Sequence, residues 1–231
     1  FDFFSAPIPD HFNRLRNSLG TRFHADYVQL YYGSVQRLFQ PGPEWVTGQD
    51  ILVGNSGAVT NNHADVFQVL AKKKLLAQKI VVPLSYGYSD HRGYREAVIE
   101  LGHHLLGHRF DPILNFMSLQ DYNALIARCS TVIMNQRRQQ AVGNIGAMLF
   151  KGARVFLDER NSAYLFLRNR GARIFSMKEL SQCLENTFEP LSDAERIKNR
   201  HVLQSFWGHD VVLASTRNFI RTVFKRGNGG V

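Results

Sequence analysis

The chain has 231 residues, 44% of them hydrophobic and 20% charged, with a formal charge of +9 from 28 Lys and Arg against 19 Asp and Glu. Those proportions exclude a disordered, collagen-like or disulfide-scaffolded chain, and the length suffices for one sizeable core, or one domain with part of another. The basic surplus favours acidic partners (nucleotides, nucleic acid or an anionic membrane face), and no apolar run approaches the ~20 residues of a membrane-spanning helix.

The first residue is Phe1 rather than Met, so the chain reads as processed or as a piece of something longer. Residues 1–48 differ from the rest. Phe1, Phe3, Phe4, Pro7 and Pro9 make an aromatic, proline-rich entry, and residues 10–19 suit a short helix ended by Gly20. Tyr27, Leu30, Tyr31, Val35 and Leu38 recur at helical spacing, which predicts a second helix over 27–39, stopped by Gln40-Pro41-Gly42-Pro43. This segment shows no strand-helix repeat and reads as helices and linker, the end of a preceding domain; the main domain occupies 49–231.

From residue 49 short β-branched runs alternate with longer helical patterns. Strands are predicted at 51–54, 79–83, 108–111, 131–135, 154–157 and 172–175, and helices at 62–73, 89–106, 119–129, 144–150 and 161–169. The fold class is therefore α/β, a doubly wound, mostly parallel sheet with helices on both faces. Right-handed crossovers place every strand's C-terminal end on one edge, and ligands of such sheets bind there. The strand exits are 54–60, 84–89, 112–118, 136–143 and 158–161.

The first exit belongs to the stretch ILVGNSGAVTNNH, residues 51–63. Gly54, Asn55, Ser56 and Gly57 form a small-residue turn that leads to a helix start at Thr60-Asn61-Asn62-His63. Glycine lets the backbone come close to a ligand, and the free N–H groups of a first helical turn favour an anion. Asn55, Ser56, Asn61, Asn62 and His63 add short polar donors. The same residues also suit an ordinary turn capped by Thr60 or Asn61, with no ligand. The second exit holds Ser85-Tyr86-Gly87-Tyr88, whose Tyr86 and Tyr88 suit a sugar or base face, or a plain surface turn. The fourth holds Gln136-Arg137-Arg138-Gln139-Gln140, with Gly143-Asn144 at a helix start, and the fifth holds Asp158-Glu159-Arg160-Asn161. Two helix N-termini, at Asn61 and Asn144, are thus expected to face one crevice with arginine beside them, an arrangement suited to a diphosphate. Topology alone makes 112–118 the base-recognition loop.

The end of the chain is helical. Ser192 and Glu195 form a capping-box pattern over 192–206, and Gly208 breaks the helix. A last helix over 211–224 carries Leu213, Phe219, Ile220, Val223 and Phe224 on one face and Arg217, Arg221, Lys225 and Arg226 on another, which suits a packed helix or one lying on a membrane. His103, His104 and His108 have no matching ligand set and no HExxH, so no metal site is expected. There is no Asp-x-Asp pair to bridge a metal to a diphosphate, no GxSxG, and no carboxylate marked as a general base, so the catalytic residue stays unassigned. Cys129 and Cys183 lie in apolar helical patterns and read as reduced core residues of a cytoplasmic protein.

Three blocks carry a family resemblance. They are Leu52-Val53-Gly54-Asn55-Ser56-Gly57 with Asn61-Asn62-His63; Lys79-Ile80-Val81-Val82-Pro83 leading to Tyr86; and Arg138-Gln139-Gln140 with Gly143, followed by Val155-Phe156-Leu157 and Asn161. In these the chain resembles the TDP-N-acetylfucosamine:lipid II N-acetylfucosaminyltransferases, or 4-alpha-L-fucosyltransferases, of enterobacterial common antigen synthesis. It departs from them at Ala141-Val142-Gly143-Asn144, where the family pattern has Gly-Ile-Gly-Thr, and at Ser162 and Tyr164, where it has Pro and Trp. The resemblance implies a metal-independent, inverting glycosyltransferase of the two-domain GT-B type, with no cofactor. It makes residues 49–231 the C-terminal, Rossmann-like donor domain. The implied partners are a nucleoside diphosphate sugar, TDP-sugar favoured, and a lipid-linked saccharide acceptor at the cytoplasmic face of the inner membrane.

On that reading, backbone N–H groups around Ser56-Gly57 and Gly143-Asn144, together with Arg138, hold the diphosphate. Asn55, Asn61, Asn62, His63, Gln139 and Gln140 position sugar or phosphate oxygens, and Tyr86 and Tyr88 border the crevice. Competing readings are a sugar-nucleotide epimerase, a transferase for another surface polysaccharide, and a nucleic-acid-binding module. The last lacks any RNP, zinc-knuckle or helix-turn-helix signature, and no nucleic-acid partner is expected.

Overall fold

A computed structural model of the chain describes residues 2–31, 33–38, 44–75, 78–87, 93–182 and 188–227, with side chains in the last helix to Phe224. Near the N-terminus, β1 (Phe3–Phe4) and β2 (Asp26–Tyr27) pair in parallel on either side of α1 (Asp10–Leu19). Phe4, Phe12, Phe23 and Tyr27 hold this small unit together, with ring centroids 5.2 to 6.0 Å apart. It is a strand-helix-strand unit in a segment expected to be helix and linker.

Among the described residues of 27–39 the expected helix does not form. The backbone groups it would need are spent elsewhere: Trp207 Nε1 donates to Gly33 O at 2.8 Å, Val35 N–H donates to Trp207 O at 3.0 Å, and Ser215 Oγ donates to Gln29 O at 2.6 Å. Tertiary contacts with the C-terminal helices thus override a helical spacing of apolar residues. The expected stop at residues 40–43 lies outside the described residues.

The main domain begins with β3 (Asp50–Val53), then α2 (His63–Ala71), β4 (Ile80–Pro83), α3 (Tyr94–Leu106), β5 (Phe110–Ile113), α4 (Leu119–Ala127) and β6 (Cys129–Met134). It continues through α5 (Val142–Phe150), β7 (Arg154–Leu157), α6 (Ser162–Asn169), β8 (Phe175–Ser176) and α7 (Met177–Gln182). It closes with α8 (Asp193–Trp207) and α9 (His209–Gly227). All six strands of the sheet are parallel, in the order β5-β4-β3-β6-β7-β8. This is the expected doubly wound, Rossmann-like sheet.

Successive strand residues point to opposite faces, so each face collects its own core. Leu52, Val81, Val132, Val155 and Leu157 pack with Ile126, Ile145, Met148, Leu167, Leu203 and Trp207. Ile51, Val53, Ile80, Val82, Ile133 and Phe156 pack with Val66, Phe67, Leu70, Val98, Leu106 and Leu180. Such doubly covered strands are near-continuous aliphatic runs, which makes them legible in the sequence. Boundaries move by a few residues. The strand expected at 108–111 is β5, that at 172–175 shrinks to β8, and the helix expected from 144 starts at Val142. Residues 89–92, the expected start of α3, lie outside the described residues. Ser192 and Glu195 make the capping box as expected.

Two features of the fold position the site. The strand order turns back at the β3/β6 pair, so the loops leaving those strands diverge and leave a crevice at their C-terminal ends. The helix that opens at that crevice, α5, is pinned from behind by α8: a Cβ placed on Gly146 would lie 2.3 Å from Trp207 Cζ3. Gly146→Ala is therefore expected to destabilise the fold by about 1–3 kcal/mol despite the better helix propensity of Ala, measured by urea unfolding. An unchanged midpoint would show that α5 and α8 are free to separate.

Candidate functional site

The crevice is organised by carboxamides. After β3, Gly54 turns the chain with φ 68°. A Cβ there would lie 2.9 Å from both Asn61 Oδ1 and His63 Nε2, so the turn requires glycine. Asn61 Oδ1 accepts from Asn55 N at 3.1 Å, and Asn61 Nδ2 donates to Ser56 O at 2.9 Å, Ser56 Oγ at 3.1 Å and Ala58 O at 3.1 Å. The loop is thereby tied to itself.

It is tied to its neighbours as well. From the β6 exit, Gln136 Nε2 donates to Asn61 Oδ1 at 2.6 Å and to Asn55 Oδ1 at 3.2 Å. Gln140 Nε2 donates to Asn55 Oδ1 at 3.1 Å while its Oε1 accepts from Thr60 Oγ1 at 2.7 Å. Asn62 Nδ2 donates to Asn135 O at 2.8 Å. From the β4 exit, Tyr86 OH accepts from Asn55 Nδ2 at 3.1 Å and Tyr86 O accepts from Gly57 N at 2.8 Å.

These contacts sort the residues singled out from the sequence. Asn61 and His63 lie beneath the loop, 1% and 0% exposed, so neither side chain faces the crevice as expected. Burial pushes the His63 imidazole down to about 4, keeping it neutral; Nδ1 lies 3.1 Å from Tyr94 OH, and Nε2 is buried without a partner. Ser56 and Gly57 are buried too, and the Gly57 N–H, expected at the diphosphate, is committed to Tyr86. Asn55 is buried as well, whereas Asn62, Gln139, Gln140, Gly143 and Asn144 are partly open and Tyr86 and Arg138 are exposed. Tyr88 lies outside the described residues. The helix expected to open at Thr60 instead begins at His63, after a tight 3-10 turn, Val59–Asn61, and a left-handed Asn62.

Charge separates the two expected anion sites. At α2 the first turn carries Asp65, which already meets the positive helix end. At α5 the first turn, Val142-Gly143-Asn144, has no acidic residue and no side-chain cap. Of the nearby arginines, Arg160 is spent on Asp158, with Nε to Oδ1 at 2.8 Å and Nη2 to Oδ2 at 2.6 Å. Burial would raise the Asp158 carboxyl, but the hydrogen bonds from Arg160 outweigh it and hold the group below its usual range. The Arg138 guanidinium makes no hydrogen bond or ion pair with any described residue.

Beside α5 lies a recess of about 270 Å³ that residue-by-residue reading of the sequence missed. Its walls are Pro83, Ile113, Phe116, Met117 and Leu119, with Tyr86, Tyr122 and Asn144 as polar points. Asn144 Nδ2 donates to Tyr122 OH at 3.3 Å and so joins this recess to the first turn of α5. Burial raises the Tyr122 phenol, which stays protonated. Phe116 is 88% exposed at the rim. The signal for it in the sequence is topological: the loop after β5 belongs at this edge of the sheet. Among the described residues no group of three or more His, Cys, Asp or Glu is placed to hold a metal ion.

The chain belongs to the 4-alpha-L-fucosyltransferase family, glycosyl transferase group 56, whose family model matches residues 39–189. Its fold is shared by a glycosyltransferase from Rickettsia africae ESF-5, with a TM-score of 0.72 at 17% identity over 97% of this chain and 64% of that one. It is also shared by Anabaena Alr3699/HepE, solved in complex with UDP and glucose, with a TM-score of 0.70 at 14% identity over 97% and 63% of the two chains. Sucrose-phosphate synthase from Thermosynechococcus elongatus matches with a TM-score of 0.66 at 9% identity over 96% and 58%. The chain thus spans less than two thirds of each of these structures.

The buried His63 gives the site a pH signature. Its folded pKa of about 4 lies below the ordinary 6.5, so between those values the unfolded chain binds the extra proton. The contribution of neutral His63 is complete above about pH 6.5 and is lost as pH falls towards 4, on the order of 3 kcal/mol in all. Urea unfolding at pH 7 and pH 4.5 should show a larger acid loss for the wild type than for His63→Asn. Equal losses would mean that His63 titrates in contact with water.

Proposed function

We propose that the chain is the donor-binding part of a glycosyltransferase. It moves an amino- or deoxysugar of the N-acetylfucosamine kind from a nucleoside diphosphate to a lipid-linked saccharide, with inversion and without a metal ion. The observation that carries this is three features at one sheet edge: an apolar recess sized for a nucleoside, the uncapped first turn of α5 joined to it through Asn144, and, in the loop between β6 and α5, Arg138, whose guanidinium has no partner among the described residues. Family membership supports the reaction class.

The acceptor hydroxyl oxygen attacks the anomeric carbon, the bond from that carbon to the β-phosphate oxygen breaks, and the nucleoside diphosphate leaves with the electron pair. The hydroxyl proton passes to a general base that we place on the acceptor side, outside the residues assigned here. Charge grows on the leaving diphosphate, and donors already aimed at it lower the barrier. The N–H groups of Val142-Gly143-Asn144 and the Arg138 guanidinium take that role in place of a metal, since the chain has no Asp-x-Asp pair to carry one. Asn55, Asn62, Gln139 and Gln140 line the sugar side, while Asn61 and His63 support the loop from below.

The walls Pro83, Ile113 and Met117 suit a pyrimidine with an added methyl, as in a TDP-sugar. A buried methyl is worth about 0.8 kcal/mol, or roughly fourfold in affinity. Calorimetric titration in EDTA should therefore find TDP bound about fourfold more tightly than UDP, with GDP weaker. Arg138→Ala should weaken TDP by at least about tenfold, the scale of a lost charged hydrogen bond. Indifference to all three nucleotides, or to the loss of Arg138, would sink the assignment. Release of free nucleoside diphosphate only when acceptor is present separates transfer from epimerisation.

We also propose that the protein works at the cytoplasmic face of the inner membrane, as a lipid-linked acceptor requires. No helix among the described residues is long and apolar enough to cross a membrane. The candidate contact is α9, where Leu213, Ile220 and Phe224 are exposed on the same stretch as Arg217 and Arg221. Each arginine near an anionic surface contributes about 1 kcal/mol, so Arg217→Ala with Arg221→Ala should lower partitioning onto phosphatidylglycerol vesicles by roughly 30-fold. Partitioning that ignores both the substitutions and the lipid charge would rule this face out.

A further inference from the structure

Asn161 does more than its place at the start of α6 requires. It is fully buried, and its Oδ1 accepts from Ala163 N at 3.0 Å, an ordinary N-cap. Ser, Thr or Asp would cap equally well. The other end of the same carboxamide points back into the crevice loops: Nδ2 donates to Gln136 O at 2.8 Å and to Arg138 O at 3.0 Å. Both amide protons are thereby used, and only a carboxamide combines a cap acceptor with two such donors. The two carbonyls it holds flank Arg137 and belong to the segment that carries the unpaired guanidinium. Gln136 in turn reaches Asn55 and Asn61 with its own side chain. One chain of amides thus runs from the start of α6, through the β6 exit, to the loop after β3.

We infer that Asn161 is a positioning residue for the diphosphate. It fixes the backbone of residues 136–138 so that the Arg138 guanidinium is held ready for the leaving group. This rests on the assignment of Arg138 to the diphosphate made above. Held by one buried amide, the backbone under Arg138 is ordered before the donor arrives, so less freedom is lost on binding. No sugar or phosphate contact by Asn161 itself is implied, since its side chain is buried.

The test is a double-mutant cycle on the 231-residue chain, with TDP and TMP as probes and thermal unfolding as the folding control. Asn161→Ser and Asn161→Asp both keep a cap acceptor and lose both donors. Each should weaken TDP by about five- to tenfold and leave TMP within twofold, because only TDP carries the complete diphosphate to which Arg138 is assigned. In an Arg138→Ala background each should cost less than twofold more, since residues acting through one another are not additive. Equal loss for TDP and TMP, full additivity with Arg138→Ala, or no loss at all would overturn the inference. So would failure of both variants to fold, which would make Asn161 a stability residue only. If Arg138→Ala alone leaves TDP affinity unchanged, the diphosphate assignment fails first and this inference falls with it. The Arg138 arm therefore tells the two failures apart.

Discussion

The carboxamide of Asn55 sits where the two halves of the sheet part, and it is held from three sides. Gln136 and Gln140 donate to its oxygen, and its nitrogen donates to the Tyr86 hydroxyl. A buried polar group left unpaired costs about 1–3 kcal/mol, so each of these partners must be in place when the chain folds. Because they come from the exits of β4 and β6 while Asn55 leaves β3, satisfying this one side chain ties three loops together. The sheet supplies the crevice through its strand order, and the amide network sets the crevice's shape. A side-chain network of this kind is worth keeping only if nearly complete. Here the exceptions, Gln136 Oε1, Gln139 Oε1 and His63 Nε2, all lie at or under the crevice.

Electrostatics then selects within that frame. A formal charge of +9 says little about place, because most cations are solvated or paired. What decides is which positive features lack a partner. Asp65 meets α2, Asp158 takes Arg160, Ser118 with Asp121 closes the start of α4, and Asn161 closes α6. Among the described residues the start of α5 and the Arg138 guanidinium, in the loop before it, stay uncompensated. Under the function proposed above, a leaving diphosphate meets two attractions there that cost no rearrangement of existing bonds.

Much of the sheet could be read from the chain because strands covered on both faces are runs such as Ile80-Val81-Val82, which few other structures produce. The crevice followed from topology rather than from any motif, and that inference placed the loops after β3, β4, β5 and β6 together. Individual roles were harder. Asn55, Asn61 and Asn62 offer the same donors and acceptors whether they hold a loop or a ligand, and the difference is burial, which adjacent letters do not encode. Gln136, named in the exit after β6, carries no role in the sequence reading for the same reason, although its place as the second residue after a buried strand at the point of divergence is a signal. Asn161 reads from the sequence as the end of the fifth exit, the start of a helix and part of a family pattern; its second set of bonds depends on where residues 136 and 138 lie in space. The false helix over 27–39 failed because its carbonyls and amides serve α8 and α9, contacts more than 170 residues distant in the chain.

The two crevice helices share a further constraint that bears on Ala141. Both α2 and α5 start from a left-handed residue other than glycine, Asn62 at φ 51° and Ala141 at φ 55°, and neither is capped by a side chain. Asn tolerates this conformation because its short polar side chain can bond locally, and Asn62 does so with Thr60 O and Asn135 O. Alanine has no such recourse, and the left-handed region costs an L-residue about 1–2 kcal/mol. Glycine, which the resemblance puts at this position, carries no such cost. The strain persists because the segment is fixed at both ends, by Gln140 on Asn55 and by Ile145 N–H on Ala141 O at 2.9 Å. What the left-handed turn achieves is exposure of the α5 amides: an extended N-cap with a Ser, Asp or Asn side chain would fold back and satisfy them. Local strain and free donors are thus two consequences of the same backbone turn, and relieving the first with glycine leaves the second intact.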